Sequence, residues 1–314
     1  MSTKNSNPEN NIIKEWLAVL PSKRIRTLRL VSQITFFLLF NGVIFGFSRT
    51  NFPLPVVLPP GAPYATFWGG FSALQYILAN GQFPFLVLGV FFLTGSLFGK
   101  LTCGWACPIG FWQDFLSMFA NLGFVEKLKV SRPTNKELQD IGGFFLWGSV
   151  IITGFFGLQR LNGDLTGGEF WTFIPYGVID PAGTMFVTFF YALIWGVFDL
   201  SGNGSLLDNL DLLFFVKSIV LVIFTYVSIK IPRAYCRWIC PTGALLGYTS
   251  GNSLIAIKRN AAKCVDGCNA CEKACPTDVP ITEENPDGIE NNLCISCGNC
   301  VDACPDAMSF GFRF

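Results

Sequence analysis

The chain has 314 residues, of which 51% are hydrophobic and only 14% charged, with 33 phenylalanines and a formal net charge of +1. A soluble domain carries charge at about a quarter of its positions, so the deficit points to lipid as part of the solvent. Histidine is absent, which excludes His-ligated haem, Ser-His and Cys-His nucleophiles and His-bound zinc or copper; neither haem nor a nucleic-acid partner is expected.

The polar start, MSTKNSNPENN, has no secretory character, so residues 1–29 are expected to form a cytoplasmic segment. Within it Ile12, Ile13, Trp16, Leu17 and Leu20 share one helical face, which suits an interfacial helix or ordinary packing. Four apolar runs follow at 30–47, 83–101, 141–158 and 212–229, each with the length and composition of a membrane span. Between the first two lies a Pro-rich loop with a shallow helix, 52–82. Lys217 sits near one end of the fourth run, where its stem can snorkel or its ammonium can meet a polar partner.

Basic residues set the orientation. Lys23, Arg24, Arg26 and Arg29 precede the first run; Lys100, Lys127, Lys129, Arg132 and Lys136 follow the second. Lys230, Arg233, Arg237, Lys258, Arg259 and Lys263 follow the fourth, and the other loops hold only Arg49 and Arg160. Both termini are therefore expected in the cytoplasm, with the chain passing several times through the cell membrane. A fifth apolar stretch, 184–200, would break that count. The segment after it, SGNGSLLDNLD, has no basic residue and reads as an outer loop, so 184–200 is expected to be a re-entrant or interfacial helix.

Twelve cysteines fall into three groups. Two of the groups repeat one pattern: Cys103-Gly-Trp-Ala-Cys107-Pro108-Ile-Gly110 follows the second run, and Cys236-Arg-Trp-Ile-Cys240-Pro241-Thr-Gly243 follows the fourth. Each sits at the cytoplasmic end of a span, with a basic residue nearby. A pseudo-twofold could gather these four thiols into a third cluster, another metal site or a redox-thiol site. The bland alternative is a pair of turns in which Pro and Gly end the spans.

The third group occupies the last fifty residues. Cys264, Cys268, Cys271 and Cys275 precede Pro276, and Cys294, Cys297, Cys300 and Cys304 precede Pro305. The second set has the spacing of bacterial two-cluster ferredoxins, in which three close thiolates hold one 4Fe–4S cube and the fourth crosses to the other. This spacing predicts one cluster on Cys264, Cys268, Cys271 and Cys304, and another on Cys294, Cys297, Cys300 and Cys275. The first gap is one residue wider than usual, through Val265, Asp266 and Gly267, where Gly267 supplies freedom to bend. Four-thiolate zinc sites are the alternative.

Two Cys-x-x-x-Cys-Pro motifs behind paired spans, followed by a two-cluster ferredoxin segment, resemble the membrane polyferredoxins of the NapH/NosR type over roughly residues 25–310. The resemblance implies a membrane α-helical domain, 30–250, of about four transmembrane helices and one re-entrant or interfacial helix. A cytoplasmic α+β ferredoxin-like domain, 251–314, would follow. Relatives of this type include quinol-oxidising subunits of nitrate reductase systems, regulators of nitrous-oxide reduction and cupric reductases that assist oxidase assembly. Length and layout are closest to the first, without the outer flavin-binding domain of the second or the extra β-domain of the third. The expected role is an electron-transfer component of an oxidoreductase system, relaying electrons between a membrane donor such as quinol and a redox partner protein. An acidic ferredoxin face (Asp266, Glu272, Asp278, Glu283, Glu284, Asp287, Glu290, Asp302, Asp306) could steer that partner or simply solvate the domain. A cupric reductase or assembly factor using Cys103, Cys107, Cys236 and Cys240, and a redox sensor, are the rivals.

Overall fold

The computed structural model describes residues 24–58, 65–121, 126–128, 130–163, 174–183, 212–251, 253–265 and 267–313. The stretches expected as interfacial or re-entrant helices, 12–20 and 184–200, lie outside them. The first element among the described residues is α1 (Arg24–Phe40), which includes residues ahead of the expected 30–47. Its first turn is capped from far away: the backbone N–H groups of Ile25 and Arg26 donate to the Asp302 carboxylate at 3.3 and 3.0 Å. A 3-10 turn, Gly42–Phe45, follows its C-terminus. Two short strands, β1 (Pro53–Leu54) and β2 (Trp68–Gly69), pair in parallel and lead into α2 (Gly70–Ala79).

The repeat seen in the cysteines is a structural repeat. The apolar helix α3 (Phe85–Phe98) is followed by the short α4 (Leu101–Trp105) and by α5 (Pro108–Asn121). After the long α6 (Arg132–Leu161), the apolar α7 (Leu212–Lys230) is followed likewise by α8 (Ala234–Trp238) and α9 (Pro241–Ser250). In both copies a proline opens the third helix, where its missing N–H is no loss. The copies exchange partners, α3 packing on α9 and α7 on α5.

The C-terminal region is small and α+β. Strand β3 (Ile255–Arg259) pairs antiparallel with β4 (Met308–Phe312), Ile255 opposite Phe312 and Arg259 opposite Met308. Between them run α10 (Ala270–Ala274) and α11 (Asn299–Ala303). Ile257, Val279, Ile281, Ile289, Val301 and Met308 form its core. A larger core runs through the helical region and includes Ile295 and Cys297 of the C-terminal region.

Each of the four apolar runs forms a helix. Among the described residues, α6 alone is long and apolar enough to cross a membrane by length and composition; its 30 residues extend about 45 Å. The 14 residues of α3 reach about 21 Å, short of a hydrocarbon core of about 30 Å. Large apolar side chains nonetheless face outward, with Phe85 76%, Phe144 73% and Val222 68% exposed.

Several basic residues that read as orientation signals are buried instead: Arg29, Lys100, Arg233 and Arg237. Lys217 is also buried, beside Asp180, and does not snorkel. At the centre stands Asp114 on α5. Arg233, fully buried, donates Nε to its Oδ1 at 2.8 Å. Arg29 pairs with its Oδ2, and Gln33 Nε2 donates to the same oxygen at 3.0 Å. Burial alone would raise the Asp114 carboxyl, but Arg233 and Arg29 outweigh it and hold the group well below the usual carboxylate range. Asp114→Ala strands two buried guanidinium groups and should cost about 3–5 kcal/mol. Thermal unfolding in detergent checks this; an unchanged midpoint would remove Asp114 from the centre of the fold.

Candidate metal centres

The one-turn helices α4 and α8 place Cys103 and Cys236, and Cys107 and Cys240 stand at the breaks before α5 and α9. All four line a single space of about 330 Å³, together with Val56, Val57, Lys100, Thr242 and Ile295. Both halves of the repeat thus supply two thiols each. The partner groups differ between the copies. Cys240 Sγ accepts the Gly243 N–H at 3.3 Å, and Gln113 Nε2 stands 3.0 Å from Cys236 Sγ while its Oε1 accepts the Tyr235 N–H. Arg233 Nη1 donates to the Cys103 carbonyl at 2.7 Å. A Cβ at Gly110 would lie 2.6 Å from Arg233 Nη1 and 2.7 Å from that carbonyl, so the first motif's glycine is required by close approach.

A second space, of about 290 Å³, is lined by Cys275, Cys294, Cys297 and Cys300, with Ile257, Val279, Ile281, Ile289 and Ile295. These four cysteines combine three from the last run with one from the run before. Of the other set, Cys271 and Cys304 lie near each other where α10 meets α11, while Cys264 and Cys268 are exposed. Gly267, in the widened gap, takes a φ of 75°, which a residue bearing a Cβ rarely adopts.

The two enclosed spaces share a wall: Ile295, 4% exposed, lines both. The fit is tight, because a Cβ at Gly104 would lie 2.4 Å from the Ile295 carbonyl. Trp105 Nε1 donates to the Ser296 carbonyl at 2.9 Å, and Lys100 Nζ to the Asn292 carbonyl. Much of the acidic face serves this junction. Arg132 pairs with Glu272 and Glu283, Arg237 pairs with Asp278, and Asp302 caps α1.

The chemistry of the spaces suits clusters. All twelve cysteines are free. Among the described residues no three Cys, Asp or Glu groups stand as a single metal ion would need, and each of the two spaces gathers four cysteines. Burial pushes the Cys103 and Cys294 thiols up to about 12 and Cys236 up to about 11. Thiolates persist in such places when a bound cation stabilises them. The paired cysteines and the ferredoxin run were legible from spacing. Lys100, Gln113, Asp114 and the buried hydrogen-bonded Tyr176–Tyr235 pair were not, although Lys100 and Arg233 each stand three residues before the first cysteine of their motif.

Comparison with known proteins agrees with this division. A 4Fe-4S dicluster domain family matches residues 263–308, and a 4Fe-4S binding domain family matches both copies of the repeat, 80–125 and 212–260. YccM of Escherichia coli (strain K12) is 26% identical over 77% of this chain and 61% of its own length. An uncharacterised protein of Methanocaldococcus jannaschii is 25% identical over 93% of this chain and 98% of its own. The ferredoxin-type protein NapH of Haemophilus influenzae is 26% identical over 68% of this chain and 63% of its own length. The chain therefore spans less than two thirds of YccM and of NapH. No solved structure matches. With 4Fe-4S domains matched to both cysteine repeats and to the C-terminal segment, and with NapH and NosR among its relatives, the chain fits the NapH/NosR-type family of ferredoxin-type proteins.

Proposed function

We propose that this protein is a membrane relay. In this reading it takes electrons from a lipid-soluble donor of the hydroquinone class and delivers them to a redox partner protein. Three 4Fe–4S clusters would be held by Cys103, Cys107, Cys236 and Cys240; by Cys275, Cys294, Cys297 and Cys300; and by Cys264, Cys268, Cys271 and Cys304. Clusters of this kind supply one-electron exchange with little change in coordination. The observation that carries the reading is the shared wall at Ile295, which puts the first two centres side by side. The exposure of Cys264 and Cys268 supports the third as the end that meets the partner. Burial of Cys103, Cys107 and Cys240 favours a resident cluster over a transient metal-ion cargo.

The outward Phe, Leu, Ile and Val side chains of α1, α3, α6 and α7 support insertion of the 30–250 region in lipid, with 251–314 as the cytoplasmic domain. The chain's own residues then have separable tasks. Thiolates hold the clusters, Ile295 and the apolar walls exclude water, and the Arg132, Arg237 and Asp302 contacts fix the domain against the membrane region.

Anaerobically purified protein should carry about twelve irons and as many acid-labile sulfides per chain, and Cys236→Ser about eight. A wild-type value near eight would leave the repeat cysteines without a cluster. Cys297→Ser should lose the central cluster and stop electron transfer to the partner while the chain still inserts; normal transfer in that variant would sink the relay. Reporter fusions test the topology: one after Asn203 should report the outer side and one after Phe314 the inner. Finding both on the same side would add or remove a crossing between them.

A further inference from the structure

The two copies of the repeat are alike in sequence position and unlike in charge. Lys100 and Arg233 each precede the first cysteine of their motif by three residues. Asp114 and Gly247 each follow the second cysteine by seven. Across the exchanged packing, Arg233 reaches Asp114 and is paired there. Lys100 reaches the matching position, Gly247, where no side chain can answer it: a Cβ at Gly247 would lie 3.2 Å from Lys100 Nζ and 3.3 Å from its Cε. The glycine clears room for the ammonium and withholds the carboxylate.

Lys100 is 6% exposed and lines the space of the four repeat cysteines. Its Nζ donates to the Asn292 carbonyl, two residues before Cys294. It lies within electrostatic reach of Cys103, Cys236 and Cys240 on one side and of Cys294 on the other. A 4Fe–4S core on four thiolates is an anion and gains a further negative charge on reduction, so a nearby buried cation favours the reduced form. We propose that Lys100 is the counter-charge shared by the repeat-cysteine centre and the cluster on Cys275, Cys294, Cys297 and Cys300, raising the reduction potential of both. The first half of this inference rests on the repeat-cysteine cluster proposed above; the second half does not.

The test is an EPR-monitored redox titration of full-length protein in detergent, with iron and sulfide measured on the same samples, for wild type, Lys100→Met, Lys100→Gln and Lys100→Arg. The Met and Gln variants should shift the reduction equilibrium of the cluster that Cys294 helps to hold by a factor of about ten or more, a fall of about 59 mV for a one-electron couple. The repeat-cysteine centre should fall likewise, and Arg should keep both near wild type. Loss of iron in Met and Gln but not in Arg would also support the proposal, since the charge alone separates them. Unchanged potentials in Met or Gln, an equal fall in Arg, or loss of iron in all three would overturn it. A wild-type iron content near eight would count against the repeat-cysteine cluster and leave the titration of the neighbouring one to decide the role of Lys100.

Discussion

Asp114 is the constraint on which the cysteine geometry depends. Its carboxylate gathers Arg29 and Gln33 from α1 and Arg233 from the start of α8. Arg233 also holds the Cys103 carbonyl, so a residue of the second motif positions the first. A buried ion pair is a doubtful source of net stability, because desolvation offsets most of the attraction. Its directional bonds admit few arrangements, however, and a mispacked repeat would leave a guanidinium in the apolar interior. Specificity of packing is the contribution that this network makes here.

The junction between helices and ferredoxin region is built from backbone as much as side chain. Gly104 meets the Ile295 carbonyl, Trp105 and Lys100 donate to neighbouring carbonyls, and one apolar core continues across. Carbonyl acceptors fix the loop that bears Cys294 and Cys297, and through one of them Lys100 brings its ammonium to that loop. Polar pairs at the edge, Arg237 with Asp278 and Arg132 with Glu272, are spread around this centre. Such a seam resembles a domain interior more than a transient interface.

What the sequence disclosed and what it concealed separate along a physical line. Cysteine spacing is local, so the matching patterns around Cys103 and Cys236 were visible, as was the crossed set on Cys275, Cys294, Cys297 and Cys300. The four apolar runs each marked a helix, although α1 includes residues from Arg24 on, where the Ile25 and Arg26 N–H groups meet Asp302, distant in sequence. Basic residues carried contacts that the sequence did not reveal. Arg29, Lys100, Arg233 and Arg237 flank apolar runs, and such residues ordinarily mark a cytoplasmic surface. Here they are buried against partners on other elements, and no periodicity reports a long-range ion pair. The same holds for Lys217, whose neighbour Asp180 lies in a distant turn. The acidic residues of the C-terminal region are the counterpart: composition showed their sign but not that Glu272, Asp278, Glu283 and Asp302 meet partners on the helical region.

The cap on α1 carries a consequence for how the protein is made. Ile25 and Asp302 are 277 residues apart, so α1 leaves the ribosome long before the group that closes its first turn exists. Synthesis at about 5–20 residues per second puts tens of seconds between them. During that interval the Ile25 and Arg26 N–H groups lack the carboxylate that accepts from them in the folded chain. Capture of the helix by that carboxylate coincides with folding of the C-terminal region, whose α11 carries both Asp302 and Cys300. Seating of the first described helix thereby waits on Asp302, a residue translated long after it.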